Sequence, residues 1–194
     1  MGYPNKKENG LYTYKDYLEW LDGERWELIE GVVYNMTPAP SRSHQKISVA
    51  LVKKISQYLE EKKCELYHAP FDVRLPEGDE EDGEIRTVVQ PDIVVICDPS
   101  KLDEKGCKGS PDLIMEILSP STASKDYITK LNLYEKNKVL EYWIIHPIDK
   151  IVMVYRLSEN GKYGRPEVYS GADQVKVGIF DDLVVDLKGI FVSD

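Results

Sequence analysis

The spacing of apolar residues predicts two helices in the first third of the chain. In the segment TYKDYLEWL, Tyr17, Leu18 and Leu21 recur at helical intervals, and Thr13 is suited to the N-cap position. A longer amphipathic helix is predicted from about residue 43 to about residue 63. Its apolar stripe comprises Ile47, Ala50, Leu51, Ile55, Tyr58 and Leu59.

A strand pattern lies on both sides of the long helix. The segment RWELIEGVVYNM alternates around Glu30-Gly31 and predicts a β-hairpin with a tight glycine turn. On this hairpin Glu27 and Ile29 share one face, while Trp26, Leu28 and Glu30 share the other. After the long helix, CELYHAPFDVRLP predicts a further strand.

Two short apolar runs in the middle of the chain each carry one acid inside strand-like sequence. VVQPDIVVICD contains Asp92, and SPDLIMEILSP contains Glu116. A helix is predicted to begin at Ser121 or Thr122 and to continue through DYITKLNLYEKNK. Further strands are predicted at LEYWIIHP, KIVMVYRL, PEVYS, QVKVGI and LVVDL.

Two polar segments between the strands are predicted to be exposed loops. PEGDEEDGEIRT contains the acidic run Asp79 to Glu84, which has no regular ligand pattern and is interpreted as a solvated loop. DPSKLDEKGCKGSP separates the two acid-bearing strands and is also predicted to be polar and exposed.

The order of elements predicts a mixed α/β or α+β fold with helices packed on a β-sheet. No internal repeat and no linker long enough to separate two domains is present. We therefore expect one domain over residues 1–194, with a core of about 12–160 and a C-terminal β extension of about 161–194.

Composition and charge narrow the class of protein. No run approaches the length of a membrane-spanning helix, and the N-terminus lacks the apolar region of a signal peptide, so we expect a cytoplasmic protein. Cys64, Cys97 and Cys107 form no CxxC pair, which predicts neither a disulfide framework nor a zinc site. The net charge of −9 argues against nonspecific nucleic-acid binding, although a local basic face can coexist with an acidic whole.

The two strand acids are the strongest chemical signal. A carboxylate among aliphatic residues is costly to bury without a partner, and Glu116 lies between Met115 and Ile117. If the two strands are neighbours, Asp92 and Glu116 can share one cavity and bind Mg²⁺, with waters and a substrate phosphate completing its coordination.

The following helix adds a basic partner. Asp126, Lys130 and Tyr134 are spaced four apart and form one row on its surface. Lys130 can pair with Asp126, or it can point into the site and orient water or stabilise charge on a phosphate. Tyr134 would support it as a hydrogen-bond donor.

These motifs resemble the PD-(D/E)xK nuclease superfamily, which has the restriction-endonuclease-like fold. The segments ELIEG, QPDIVVI, PDLIMEILSPST, DYITKLNLY and LEYWIIHP are more specifically similar to the Uma-two-type restriction endonucleases. The resemblance covers roughly residues 12 to 160. It implies a Mg²⁺- or Mn²⁺-dependent phosphodiesterase that acts on nucleic acid, with DNA as the expected substrate.

The resemblance also implies roles for individual residues. It makes Asp92 and Glu116 the metal pair, Lys130 the catalytic lysine and Glu27 the additional acid, for which Glu30 is the alternative. Supporting positions are His44, Gln90, Ser119 and Tyr134. One departure stands out, because Leu118 occupies the place of the usual ExK lysine, so the lysine would have moved to the next helix.

Two functions remain open from the sequence. The first is a metal-dependent DNA endonuclease, expected to form a homodimer because restriction-like nucleases often cut two strands with two subunits. The second is a catalytically inactive nuclease-fold protein that binds nucleic acid or a protein partner. The net charge of −9 and the missing ExK lysine favour the second.

Overall fold

A computed structural model describes residues 10–20, 24–36, 39–119 and 124–191. The helices are α1 (Tyr14–Leu18), α2 (Arg42–Leu59), α3 (Leu131–Lys136) and α4 (Leu187–Ile190), and a π-helical turn (Lys125–Lys130) precedes α3. Short 3₁₀ turns lie at Asp82–Glu84 and Pro99–Lys101. The strands are β1 (Trp26–Ile29), β2 (Val32–Asn35), β3 (Glu65–His68), β4 (Val73–Arg74), β5 (Val88–Val89), β6 (Ile93–Ile96), β7 (Leu102–Asp103), β8 (Gly106–Lys108), β9 (Leu113–Ile117), β10 (Glu141–His146), β11 (Ile151–Arg156), β12 (Glu167–Ser170), β13 (Gln174–Lys176) and β14 (Val184–Asp186).

The central sheet has six strands in the order β12-β11-β10-β9-β6-β3. Strands β9 and β10 are parallel, and the other neighbours are antiparallel. Because side chains alternate across a strand, β9 contributes to two separate cores. Met115 and Ile117 pack with α2 and the C-terminal strands, whereas Ile114 packs on the opposite face with residues of α3.

A second six-stranded sheet has the order β2-β1-β5-β4-β8-β7 and brings the N-terminal hairpin beside the central sheet. The predicted hairpin is confirmed, with Glu30 at φ 50° and Gly31 at φ 81° in its turn. Positive φ at both positions suits the right-handed twist of the paired strands. Strand β1 is buried along its whole length and carries Glu27 into the interior.

Two predicted single strands are each divided between the sheets. CELYHAPFDVRLP forms β3 in the central sheet and β4 in the second sheet, and the chain between Val88 and Ile96 changes sheet in the same way. Periodicity shows that a residue is extended and buried, but it does not show which sheet the residue joins. Asp92 lies at the start of β6, as predicted, immediately after the change of sheet.

Both predictions of exposed loops were partly wrong. The segment after Asp98 forms β7 and β8, which pair with each other, and Cys107 within it is fully buried. In the acidic run, Asp82 pairs with Arg74, whose side chain is fully buried and also pairs with Asp103. A buried guanidinium requires carboxylate partners, so some of these acids neutralise Arg74.

The cysteine prediction was also wrong, because Cys64 and Cys97 form a disulfide. The two residues adjoin the paired ends of β3 and β6, where Glu65 lies opposite Ile96. The separation of 33 residues along the chain concealed this proximity, since strand pairing sets the distance and spacing does not.

The helices and the C-terminal region largely follow the pattern. The long helix ends earlier than predicted, at Leu59, and Ser41 caps it by accepting a hydrogen bond from the His44 backbone N–H at 3.2 Å. The predicted helix start at Ser121 or Thr122 lies outside the described residues. Strands β12, β13 and β14 match the predicted C-terminal β segments, while the short helix α4 was not predicted. None of the helices in the described ranges is long and apolar enough to span a membrane.

Candidate active site

Asp92 is held at the start of β6 by two contacts on the same oxygen. The backbone N–H of Ile117 donates to its Oδ2 at 2.7 Å, and Nε2 of His44 lies 3.1 Å from the same atom. Ile117 is on the neighbouring strand β9, directly after Glu116, so this bond ties the two acid-bearing strands together. Between described residues, these side-chain contacts engage only one of the two Asp92 carboxylate oxygens.

Glu116 points from β9 toward the helix that follows it. Lys130 Nζ donates to Glu116 Oε1 at 2.7 Å, and the Tyr134 hydroxyl donates to the same oxygen at 3.0 Å. Burial raises the pKa of Glu116 to about 8, and the nearby carboxylates of Asp126, Asp92 and Glu27 act in the same direction against the lowering effect of Lys130. Glu116 therefore gives up its proton less readily than an exposed glutamate.

Glu27 lies on the buried strand β1 and contacts two lysines, Lys130 and Lys125. Its Oε1 lies 2.8 Å from Lys130 Nζ and accepts a hydrogen bond from the Gln90 backbone N–H at 3.1 Å. Its Oε2 accepts from Lys125 Nζ at 2.5 Å. Burial alone would raise the pKa of Glu27, but Lys130 and Lys125 outweigh it and lower the pKa to about 2.

The π-helical turn explains how two lysines five residues apart reach one carboxylate. In an α-helix, residues five apart point about 140° away from each other. A π turn closes its hydrogen bonds over five residues, which brings Lys125 and Lys130 toward the same side. The predicted row of Asp126, Lys130 and Tyr134 also meets here, with Asp126 Oδ1 3.7 Å from Lys130 Nζ.

These groups line a cleft of about 520 Å³. Seven of the eight predicted site residues line it: Glu27, His44, Gln90, Asp92, Glu116, Ser119 and Lys130. Tyr134, the eighth, is fully buried and reaches the site only through its bond to Glu116. The rival acid Glu30 lies elsewhere, on the surface, where it pairs with Lys136.

Gln90 acts on the site through its backbone and not through its amide. Its side-chain Nε2 donates to Asp72 Oδ1 at 2.8 Å and to the Tyr17 hydroxyl at 3.0 Å, while its Oε1 accepts from Arg25. Gln90 therefore connects the cleft wall to a second polar group behind it.

Three charged residues of the cleft were missed as candidates: Arg25, Lys125 and, as a cleft acid, Asp126. Lys125 could have been found only by assuming a π turn, which has no clear sequence signature. Leu118, at the usual lysine position, packs with the core cluster that contains Ile114 and also lines the cleft, where it presents an apolar side chain beside Glu116.

The donor set fits a hard divalent cation. Asp92 and Glu116 each leave one carboxylate oxygen outside the hydrogen bonds made by described residues, and the cleft is lined by four acids, two lysines and Arg25. In the part of the chain that the structure describes, no group of three His, Cys, Asp or Glu side chains is arranged to hold a metal ion. Mg²⁺ suits such a two-carboxylate site, because it keeps several waters and takes substrate phosphate oxygens.

Comparison with known proteins shows which family the chain belongs to. The Uma2 family model, described as "Putative restriction endonuclease", matches residues 14–188. The chain belongs to the Uma2 family. The resemblance inferred from the motifs is therefore confirmed at the level of the family.

Two individual proteins match this chain over most of its length. "Uncharacterized protein slr1290" of Synechocystis sp. (strain ATCC 27184 / PCC 6803 / Kazusa) is 26% identical over 152 residues, covering 77% of this chain and 76% of that protein. The crystal structure of "a putative nuclease belonging to DUF820" from Anabaena variabilis ATCC 29413 has a TM-score of 0.72 at 22% identity, and the match covers 92% of this chain and 97% of that chain. This likeness confirms the predicted mixed fold of sheet and flanking helices, and it shows the fold alone.

Proposed function

We propose that this Uma2 protein is a metal-dependent DNA endonuclease that hydrolyses phosphodiester bonds. The observation that carries the proposal is the meeting of Asp92, Glu116 and Lys130 in one cleft, although they come from two strands and a helix. Carboxylates presented beside a fixed ammonium suit phosphoryl chemistry, where charge develops on oxygens around phosphorus.

Asp92 and Glu116 would hold Mg²⁺ or Mn²⁺. When bound, such an ion polarises the scissile phosphate and lowers the pKa of a coordinated water. The protein orients Asp92 through the Ile117 N–H and His44, so that its second oxygen remains available in the cleft. Glu116 is held in the same way by Lys130 and Tyr134.

Lys130 takes the place of the missing ExK lysine in this proposal. Its ammonium group is fixed between Glu116 and Glu27 at 2.7 and 2.8 Å. From there it orients the attacking water or stabilises the negative charge that develops on the phosphate. Glu27 is then a positioning residue, because it binds Lys130 and Lys125 and keeps both ammonium groups at the cleft wall.

The experiment is a plasmid-nicking assay with Mg²⁺ and with Mn²⁺ on the wild type, Asp92→Asn and Glu116→Gln. We expect nicking that requires the divalent cation and that both substitutions reduce by at least about 10²- to 10³-fold. Calorimetric titration of the folded protein with Mn²⁺ should give one binding event that both variants weaken. Unchanged nicking in either variant contradicts the assignment.

A catalytically inactive nuclease-fold protein that binds nucleic acid or a protein partner is the second candidate. It is favoured by the saturation of Lys130, which already contacts Glu116, Glu27 and Asp126. Absence of both Mn²⁺ binding and nicking in a folded sample would select this candidate.

We further propose that the protein cuts as a homodimer, in which each of the two clefts cleaves one strand of a duplex. Sedimentation analysis together with the ratio of nicked to linear product tests this. A monomer that only nicks contradicts the dimer.

A further inference from the structure

The helix α2 has one buried face and one basic face. Its buried residues are Ile47, Leu51, Ile55 and Leu59, which pack on the central sheet. Arg42, Lys46 and Lys53 are exposed and share one side of the helix. At 3.6 residues per turn that side lies about 180° from the buried stripe.

This face differs from the rest of the chain in charge. The 18 residues of α2 include four basic residues, Arg42, Lys46, Lys53 and Lys54, and no acidic residue. The whole chain has a net charge of −9. A helix that carries only positive charge in such a chain creates a local positive potential, which attracts a polyanion despite the acidic whole.

The N-terminal end of α2 borders the cleft. Ser41, Ser43 and His44, at the start of α2, line the cleft, and His44 contacts the Asp92 carboxylate. The exposed cations then follow the helix away from the site. Arg42 and Lys53 are eleven residues apart, which is about 17 Å along the helix axis.

We propose that the backbone of duplex DNA lies along this face of α2, in contact with Arg42, Lys46 and Lys53, and reaches the cleft at the N-terminal end of the helix, where Ser41 and Ser43 line it. This inference rests on the proposed nuclease function and adds the substrate-binding surface to it. A length of about 17 Å matches about five base pairs of duplex, which carry one negative charge per about 1.7 Å. The contacts are to phosphates, so they contribute affinity and orientation without sequence preference.

The test measures DNA binding separately from cleavage. Fluorescence anisotropy of a labelled 20-base-pair DNA duplex is recorded in EDTA over a series of salt concentrations, for the wild type and for Lys46→Glu/Lys53→Glu. The matched control is Arg86→Glu/Arg165→Glu, which changes the net charge equally at exposed positions that do not line the cleft. Thermal unfolding verifies that each protein is folded, and Lys53→Glu alone replaces the double variant if that variant does not fold.

We expect the α2 variant to bind roughly 10- to 100-fold more weakly than the wild type and to lower the salt slope by about 2, because each lost phosphate contact removes about 0.9. The control should differ from the wild type by less than about threefold. Equal losses in both variants, or no DNA binding by the wild type at low salt, would overturn the inference. A larger loss on an RNA duplex than on DNA would overturn the choice of DNA.

Cleavage distinguishes this inference from the proposed function. Asp92→Asn should abolish nicking and retain binding in EDTA, whereas Lys46→Glu/Lys53→Glu should lose binding and, at subsaturating DNA, lose nicking in the same proportion. A wild type that binds through α2 and never nicks contradicts the nuclease function alone. A protein that nicks normally and binds equally well without the two lysines contradicts the α2 surface alone.

Discussion

Two buried glutamates on neighbouring strands of the central sheet have very different surroundings. Glu116 and Glu141 lie on the parallel pair β9 and β10, and their side chains are almost entirely removed from solvent. In the sequence each is an acid within or beside an apolar strand run. In the structure they point to opposite faces of the sheet.

Both carboxylate oxygens of Glu141 accept hydrogen bonds from the protein, which leaves few acceptor sites for a ligand. The Trp143 indole N–H donates to its Oε1 at 2.6 Å, and the backbone N–H of Ile179 donates to its Oε2 at 3.2 Å. Arg156 lies 3.7 Å away. These contacts connect the central sheet to the C-terminal segment around Gly178, so we interpret Glu141 as an anchor for that segment.

Glu116, in contrast, shares its surroundings with three other carboxylates and borders the cleft. The difference teaches that burial of an acid does not by itself indicate a site. A site is indicated where buried acids accumulate beside a cleft and are not fully compensated by the protein's own donors.

The largest expected effect separates the two glutamates by activity. Glu116→Gln should reduce nicking by at least about 10²- to 10³-fold, whereas Glu141→Gln should leave it within about threefold. The comparison is made at equal folded concentration, verified by near-ultraviolet circular dichroism. A loss of activity of the same size in Glu141→Gln would remove the distinction.

Lys130→Met tests how far the cleft depends on its lysine. Because Glu116 and Glu27 would remain buried without that cation, we expect a loss of about 3–5 kcal/mol in the free energy of unfolding, measured with urea. Lys125→Met is the control and should cost less, since the Lys125 side chain is 17% exposed and contacts Glu27 alone among these acids. Equal losses would show that Lys130 has no special place between the two acids.

Gly178→Ala tests the anchor at Glu141. A Cβ at Gly178 would lie 2.6 Å from Glu141 Oε2 and 2.6 Å from Arg156 Nε, so we expect a loss of about 1–3 kcal/mol in the free energy of unfolding, with nicking unchanged. Gly164→Ala is the matched control, because nothing lies within 4 Å of its added Cβ. A neutral Gly178→Ala would contradict the close packing of this segment.

The smallest expected effect is a pH dependence assigned to Glu141. Burial raises the pKa of Glu141 above 4.5, and the Trp143 bond and the Arg156 charge lower it by less. The folded protein therefore holds this proton more tightly than the unfolded chain, and the contribution to stability that is present below pH 4.5 is lost as the pH rises through the folded pKa.

This dependence is measured as a difference between proteins. The free energy of unfolding of the wild type minus that of Glu141→Gln should decrease as the pH rises from 4 to 8. A difference that stays flat or increases over that range would show that Glu141 is ionised in the folded protein without penalty.

Local sequence predicted the elements that depend on periodicity and turn chemistry. The hairpin at Glu30-Gly31, the helix with the Ile47 and Leu51 stripe and the strand carrying Glu116 all follow from spacing between near neighbours. Spacing did not predict where strands would pair. It therefore missed the change of sheet before Asp92 and the pairing that brings Cys64 to Cys97.

The candidate site also has parts that the sequence predicted and parts that only the structure shows. The identities of Asp92, Glu116 and Lys130 followed from residue type and from the family resemblance. The resemblance favoured Glu27 and left Glu30 as the alternative, and in the structure Glu27 lies inside on the buried strand β1 while Glu30 is on the surface. That Lys125 also lines the cleft required the structure, because it depends on the π turn.

The amino-acid sequence by itself determined the kinds of element, the two acids inside apolar strands and the apolar stripe of helix α2. Only the tertiary structure decided which buried glutamate borders a cleft, which lysines reach it and that the N-terminal end of α2 lies beside it. The physical reason is distance. Periodicity and capping act over a few neighbouring residues, whereas the charge balance around Glu116 is set by side chains up to about ninety residues away, such as Glu27.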